Sequence, residues 1–305
     1  MLFFAAVAAI VFFVVLHEIG WRAVMLALRV APAMPSKFTA SRAWTRSQAF
    51  RSRLAKRYPA FVAFVANRVD PHGPAGLPLT LAIIAAAYLA ALFSGLTEDI
   101  LDAEGISLID NAVNAAFGPW RVEPLVSASL WITALGSSPS VISAVIIATA
   151  FLWSERRLHI VVPLWVTSFG ALATTSLGKF LIGRHRPEMT IDVTAMYSSF
   201  PSGHATAAMA VYGFIAYALA RALPGVRERF EVSYWIAVLI LLIGFSRIVL
   251  GVHYLTDVIG GFLVGGFWLL IGLTIAEWRG ARASAMPLGR DDSIQAVSSP
   301  RDGGP

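Results

Sequence analysis

Apolar runs separated by short polar breaks dominate the chain. They cover 1–16, resuming after a polar interruption as far as Leu28, then 76–96, about 124–153, 161–178, 204–222, 232–250 and 256–276. Most approach the roughly 20 residues that an α-helix needs to cross a bilayer core. Within hydrocarbon every backbone polar group must be satisfied by the chain itself, so runs of this length predict helices. The run at 124–153 is broken near Gly136-Ser-Ser-Pro139, which predicts an interrupted span. The expected fold is therefore all-α, a polytopic membrane bundle with a six-helix core and an additional hydrophobic helix at the N-terminus. Composition supports the same class. With 57% hydrophobic and only 14% charged residues over 305 positions, the chain reads as one integral membrane protein, not as two soluble domains.

The polar stretches divide the chain further. Residues 1–28 begin Met-Leu-Phe-Phe, without the positive start of a secretory signal, and read as an uncleaved anchor, with an interfacial helix as the alternative. His17 and Glu18 within it read as a polar patch near a helix end. Segment 29–75 changes character: Arg42, Arg46, Arg51, Arg53, Lys56, Arg57 and Arg68 alternate with Trp44, Phe50, Leu54, Tyr58, Phe61 and Phe64. That mixture predicts an amphipathic helix on the anionic headgroups of a membrane surface. The net charge of +6 does not point to nucleic acid, because the basic residues flank apolar runs and no groove-reading motif is present. Residues 76–278 form the predicted core, and 279–305 read as a disordered cytoplasmic tail. Residues 97–123, with Glu98, Asp99, Asp102, Glu104, Asp110 and Glu123, read as a solvated acidic loop. Nothing in the sequence speaks to oligomeric state.

Basic residues also set an orientation. Segment 29–70, the turn Glu155-Arg156-Arg157, the stretch from Arg221 to Arg229 and the tail after Trp278 alternate correctly to be cytoplasmic. The expected location is the cell inner (plasma) membrane. Lys179, Arg184, Arg186 and Arg247 then fall on the extracytoplasmic side, against the rule, which suggests cations held there to meet an anion.

The chemistry concentrates at Ser-Arg-Ile-Val-Leu-Gly-Val-His-Tyr-Leu-Thr-Asp, residues 246–257, between two apolar runs. If His253 to Asp257 is helical, the i, i+4 spacing puts imidazole and carboxylate on one face. A carboxylate there fixes the ring tautomer and leaves the other nitrogen free to act. The guanidinium of Arg247 suits a phosphate or carboxylate. Upstream lie Lys179-Phe-Leu-Ile-Gly-Arg-His-Arg186-Pro187 and Pro201-Ser202-Gly203-His204. Taken alone, His204 would be a polar residue capping a helix.

In order, these stretches read K-x6-RP, PSGH and SR-x5-H-x3-D, and together they resemble the signature motifs of the type 2 phosphatidic acid phosphatase (PAP2) superfamily. The resemblance covers roughly 76–276. It implies that Lys179, Arg186, Ser202, Gly203 and Arg247 bind phosphate. It further implies that His253 attacks phosphorus with Asp257 orienting it, and that His204 protonates the leaving oxygen. Arg184 and His185 lie off the fixed positions and receive no catalytic role. Three cations at one site would repel a divalent ion, so catalysis without a metal or other cofactor is expected.

The implied activity is hydrolysis of a lipid phosphate monoester or pyrophosphate. Phosphatidate, phosphatidylglycerophosphate, a polyprenyl diphosphate and a phosphorylated lipid A are all candidate substrates. A phosphotransferase using the same intermediate stands as an alternative, as does a non-enzymatic transporter or scaffold. The related vanadate haloperoxidases are soluble, which this hydropathy opposes.

Overall fold

The computed structural model describes residues 2–30, 54–70, 76–102, 105–187 and 198–285. Every regular element among them is helical. In chain order these are α1 (Leu2–Val30), α2 (Pro59–Val69), α3 (Leu77–Asp102), α4 (Ile106–Phe117), α5 (Glu123–Ala134), α6 (Ser138–Ser154), α7 (Leu158–Ile182), α8 (Gly203–Ala220), α9 (Val226–Val249) and α10 (Leu255–Ala285). Six of them are each long and apolar enough to cross a membrane. The pair α5 and α6 passes as one span bent by 42°. The fold is thus an all-α polytopic bundle. Its core consists of α3, the α5–α6 pair, α7, α8, α9 and α10, with α1 alongside.

Small residues let the core helices approach closely. A Cβ on Gly261 of α10 would lie 2.6 Å from the Ser202 carbonyl oxygen and 2.9 Å from Ala205 Cβ. On Gly265 it would lie 2.6 Å from the Thr206 carbonyl oxygen. In lipid, where apolar burial drives little helix association, such backbone contact is what holds spans together. A buried cluster of Val145, Leu152, Ile160, Leu164, Val211, Phe214 and Ala276 then ties α6, α7, α8 and α10. Trp131 and Phe180 are about four-fifths exposed, as lipid-facing side chains are.

α1 runs antiparallel to α9. Tyr234 donates to the Phe13 carbonyl, His17 Nε2 lies 2.8 Å from Glu231 Oε2, and Arg227 stacks on Trp21. His17 is therefore a mid-helix contact with α9, surrounded by Phe230, Tyr234 and Trp235, and not a patch at a helix end. Glu18 pairs with Arg22 one turn on.

Two expectations need correction. Residues 97–123 do not form a solvated loop: α3 continues to Asp102, and α4 carries Asp110 into the interior. The C-terminal segment stays helical through Ala285, because α10 runs on beyond the predicted core boundary. Most of the proposed surface helix, 31–53, and the tail beyond 285 lie outside the described residues. Of that surface segment, α2 is helical with Phe61 and Phe64 exposed, and its Arg68 carbonyl accepts a hydrogen bond from Thr80 at the start of α3.

Candidate active site

All three polar motifs arrive at one end of the bundle. α7 delivers Lys179 in its last turn, α8 opens with Gly203 and His204, and α9 ends with Arg247. His253 sits in the turn between α9 and α10. Gly251 makes that turn possible, since its φ of 66° lies in the left-handed region that a side chain disfavours.

His253 and Asp257 do not share a helix, as their spacing alone suggested. α10 begins at Leu255, so His253 precedes it and Asp257 belongs to its first turn. Asp257 Oδ2 accepts the Tyr254 backbone N–H at 2.8 Å, which is the carboxylate half of a capping box. The same oxygen lies 3.5 Å from His253 Nδ1, a nitrogen with no hydrogen-bond partner at normal distance among the described residues. Both residues are buried. Such contacts between catalytic groups often tighten only when substrate is bound. Burial pushes the His253 imidazole down to about 4, with Asp257 pulling the other way.

Around this pair the cations are held by specific contacts. Lys179 Nζ donates to the Ser198 carbonyl at 2.6 Å, Arg186 Nη1 to the Val252 carbonyl at 2.9 Å, and Arg247 Nη1 to Thr133 Oγ1 at 2.8 Å. His204 lies within electrostatic reach of Arg247, His253, Lys179 and Arg186. The Ser202 backbone N–H donates to the Asp257 carbonyl at 2.9 Å, joining the second motif to the third. Ser202 Oγ is buried and has no hydrogen-bond partner among the described residues, so its hydroxyl is available to a ligand. Every residue expected at the site is thus brought to one place.

The break between α5 and α6 belongs to the same assembly. A Cβ on Gly136 would come within 2.7 Å of Ile243 Cγ2 and 3.1 Å of His204 Cδ2. The interruption seen in the sequence therefore presses on His204. Beside it a cavity of about 410 Å³ runs from Lys179, Gly203 and His204 along α6 and α7, past Val145, Phe169 and Leu172. Its lining is mostly apolar.

Sequence reasoning missed two members of this end of the molecule. Arg184 bridges two carboxylates: Nη1 lies 2.6 Å from Asp257 Oδ1 and Nη2 2.6 Å from Asp110 Oδ2. Burial works against its charge, but the carboxylates outweigh it and raise its pKa above the ordinary value. Arg184 was legible as a cation beside a motif, but Asp110 carries no local signal. It stands among other acidic residues, and only tertiary packing buries it.

Comparison with known proteins gives the same assignment. A family model described as the PAP2 superfamily matches residues 160–281. Phosphatidylglycerophosphatase B of Bacillus subtilis (strain 168) is 36% identical over 149 residues, spanning 48% of this chain and 71% of that protein. The crystal structure of a transmembrane PAP2-type phosphatidylglycerolphosphate phosphatase from Bacillus subtilis superposes with a TM-score of 0.59 at 27% identity, covering 67% of this chain and 98% of that one. Aquifex aeolicus LpxE superposes more loosely, with a TM-score of 0.44 and 21% identity over 54% of this chain and 94% of its own. With a relative of this identity matched over most of its length, and three motifs gathered at one end of a membrane bundle, the chain belongs to the PAP2 superfamily and is a membrane lipid phosphatase, a hydrolase of phosphate monoesters.

Proposed function

We propose that the substrate is a phosphoglycerolipid of the phosphatidylglycerophosphate class, hydrolysed at the extracytoplasmic face through a phosphohistidine on His253. The observation that carries this reading is the apolar cavity of about 410 Å³ that begins at Lys179 and His204. A cationic pocket joined to a lipid-sized apolar groove suits a molecule with a phosphate head and a hydrocarbon tail. The likeness to phosphatidylglycerophosphatase B supports the headgroup.

In the first step His253 Nε2 attacks phosphorus, the bond to the lipid oxygen breaks, and protonated His204 gives that oxygen its proton. Asp257 holds the Nδ1 proton and stabilises the charge that the ring acquires. Lys179, Arg186 and Arg247, with Ser202 and the first N–H groups of α8 at Gly203, stabilise the phosphoryl oxygens. In the second step His204 takes a proton from water, the resulting hydroxide attacks phosphorus, and the P–N bond breaks to release inorganic phosphate. Three cations already surround the anion, so the chemistry needs no metal.

Phosphate release by purified protein across a panel of lipid phosphates tests the assignment. Phosphatidylglycerophosphate should be hydrolysed fastest, with full activity in chelator and inhibition by vanadate. Faster release from a polyprenyl diphosphate or lipid A, delivery of phosphate to an acceptor other than water, or a strict need for magnesium would each overturn part of it.

A further inference from the structure

We propose that Asp110 and Arg184 are positioning residues of the phosphatase, which lock the Asp257 carboxylate in the one orientation from which it holds His253. The proposal rests on the reading of His253 as the nucleophile.

Asp110 is 1% exposed, although its neighbours Leu108 and Ile109 on α4 are 72% and 56% exposed. A carboxylate buried without partners is strongly disfavoured, so its contacts are obligatory. Oδ1 accepts the Thr256 backbone N–H at 3.1 Å, an orphan donor in the first turn of α10. Oδ2 accepts the Thr256 hydroxyl and Arg184 Nη2. The guanidinium then reaches past Asp110: Nη1 donates to Asp257 Oδ1 at 2.6 Å and to Thr256 Oγ1 at 2.8 Å, while the Tyr254 ring stacks beneath it at 4.6 Å.

The consequence lies in how the two oxygens of Asp257 are divided. Oδ1 is committed to Arg184, and Oδ2 to the Tyr254 N–H and the His253 ring. Rotation of the carboxylate would break both commitments together. His253 needs such a guide because it stands outside α10, in the turn between two helices, and its Nδ1 is still 3.5 Å from Oδ2. An ion pair serving only to attach α4 to the segment after α7 would need Asp110 and Arg184 alone. The second arm of the fork to Asp257 is the feature that attachment leaves unexplained.

The test uses the full-length protein in lipid nanodiscs with para-nitrophenyl phosphate, following the nitrophenolate burst. Arg184→Gln should slow the burst by about 10–100-fold, the usual effect of losing a partner of a site ligand, with KM little changed. Arg184→Lys keeps the charge but cannot span both carboxylates, so it should recover only part of the rate. Asp110→Asn should act in the same direction more weakly.

The decisive comparison is a double-mutant cycle. In an Asp257→Ala background, Arg184→Gln should cost nothing further, because both oxygens of its target are gone. An equal loss in both backgrounds, or a raised KM with unchanged kcat, would overturn the proposal, the latter by making Arg184 a substrate contact. Should Asp257→Ala be too slow to follow, ¹⁵N NMR of labelled histidines decides, with His253 assigned from its loss in His253→Gln. The Nδ1–H tautomer should dominate in the parent and decline in Arg184→Gln and Asp110→Asn, and unchanged ring shifts would sink the idea. Absence of any burst and of phosphohistidine in the parent would instead refute the nucleophile assignment, independently of the tautomer result.

Discussion

His253 and His204 stand at the same end of the bundle but are asked for different chemistry. His253 makes the bond to phosphorus, so His253→Ala should be nearly inactive on any substrate. His204 supplies a proton, which matters when the leaving oxygen is a poor one such as a lipid alkoxide. General acid catalysis typically contributes ~10²–10⁴-fold, and an aryl ester needs little of it. His204→Ala should therefore lose far more on lipid phosphate than on para-nitrophenyl phosphate in the first step, and equal losses on both would refute the division. The aryl substrate also isolates the titration of the nucleophile. Since burial holds His253 down at about 4, it should remain neutral and competent in the burst down to that pH. A burst already failing near the ordinary histidine value of 6.5 would contradict this. Stability follows the same displacement. Between the folded and ordinary values the unfolded chain binds more protons, so stability should fall as pH drops through that window. His253→Gln should flatten that part of the melting profile.

Helices bring these residues together, and their packing is set by what is missing from α10. At Gly261 the backbone of α8 leaves no room for a side chain: a Cβ would sit 2.6 Å from the Ser202 carbonyl oxygen, which cannot rotate away. Gly261→Val should separate α8 from α10 and stretch the Ser202–Asp257 backbone bond. Overpacking of this kind costs roughly 1–3 kcal/mol, read as an earlier thermal transition, and activity should fall further than stability. A melting point and activity equal to the parent would show that the crossing is looser. The elements themselves were legible, because an apolar run of bilayer length has only one way to satisfy its backbone. The motif residues were legible too, since their types and order carry the chemistry. What escaped was made by tertiary contact. Asp110 looks like its solvated neighbours until α4 folds under the Thr256 turn, and His17 looks like a helix end until Glu231 comes to meet it.

Across the whole molecule, charge divides between the two ends in a way that predicts an orientation. At the site end the described cations are Arg121, Lys179, Arg184, Arg186 and Arg247, and each is engaged inside the protein. Arg121 donates to the Val249 carbonyl, and the others bind carbonyls, carboxylates or Thr133 as described above. At the other end Arg156, Arg221, Arg227 and Arg229 lie on the surface, near the end of α1 and the start of α3. The positive-inside rule is a statement about charges that translocation must carry. Three cations committed to an anion site, Lys179, Arg186 and Arg247, are the understandable exception, and Arg184 is neutralised by carboxylates in any case. The surface arginines should therefore be cytoplasmic and the site extracytoplasmic. The chain has no cysteine, so single cysteines can be placed without background. Asn111, exposed on α4 at the site end, and Glu155, exposed in the turn after α6, serve as opposite reporters. With a membrane-impermeant maleimide on intact cells, Asn111→Cys should label at once and Glu155→Cys only after the membrane is opened. The reverse pattern would put the phosphatase site in the cytoplasm, and the lipids it meets would then be those of the inner leaflet.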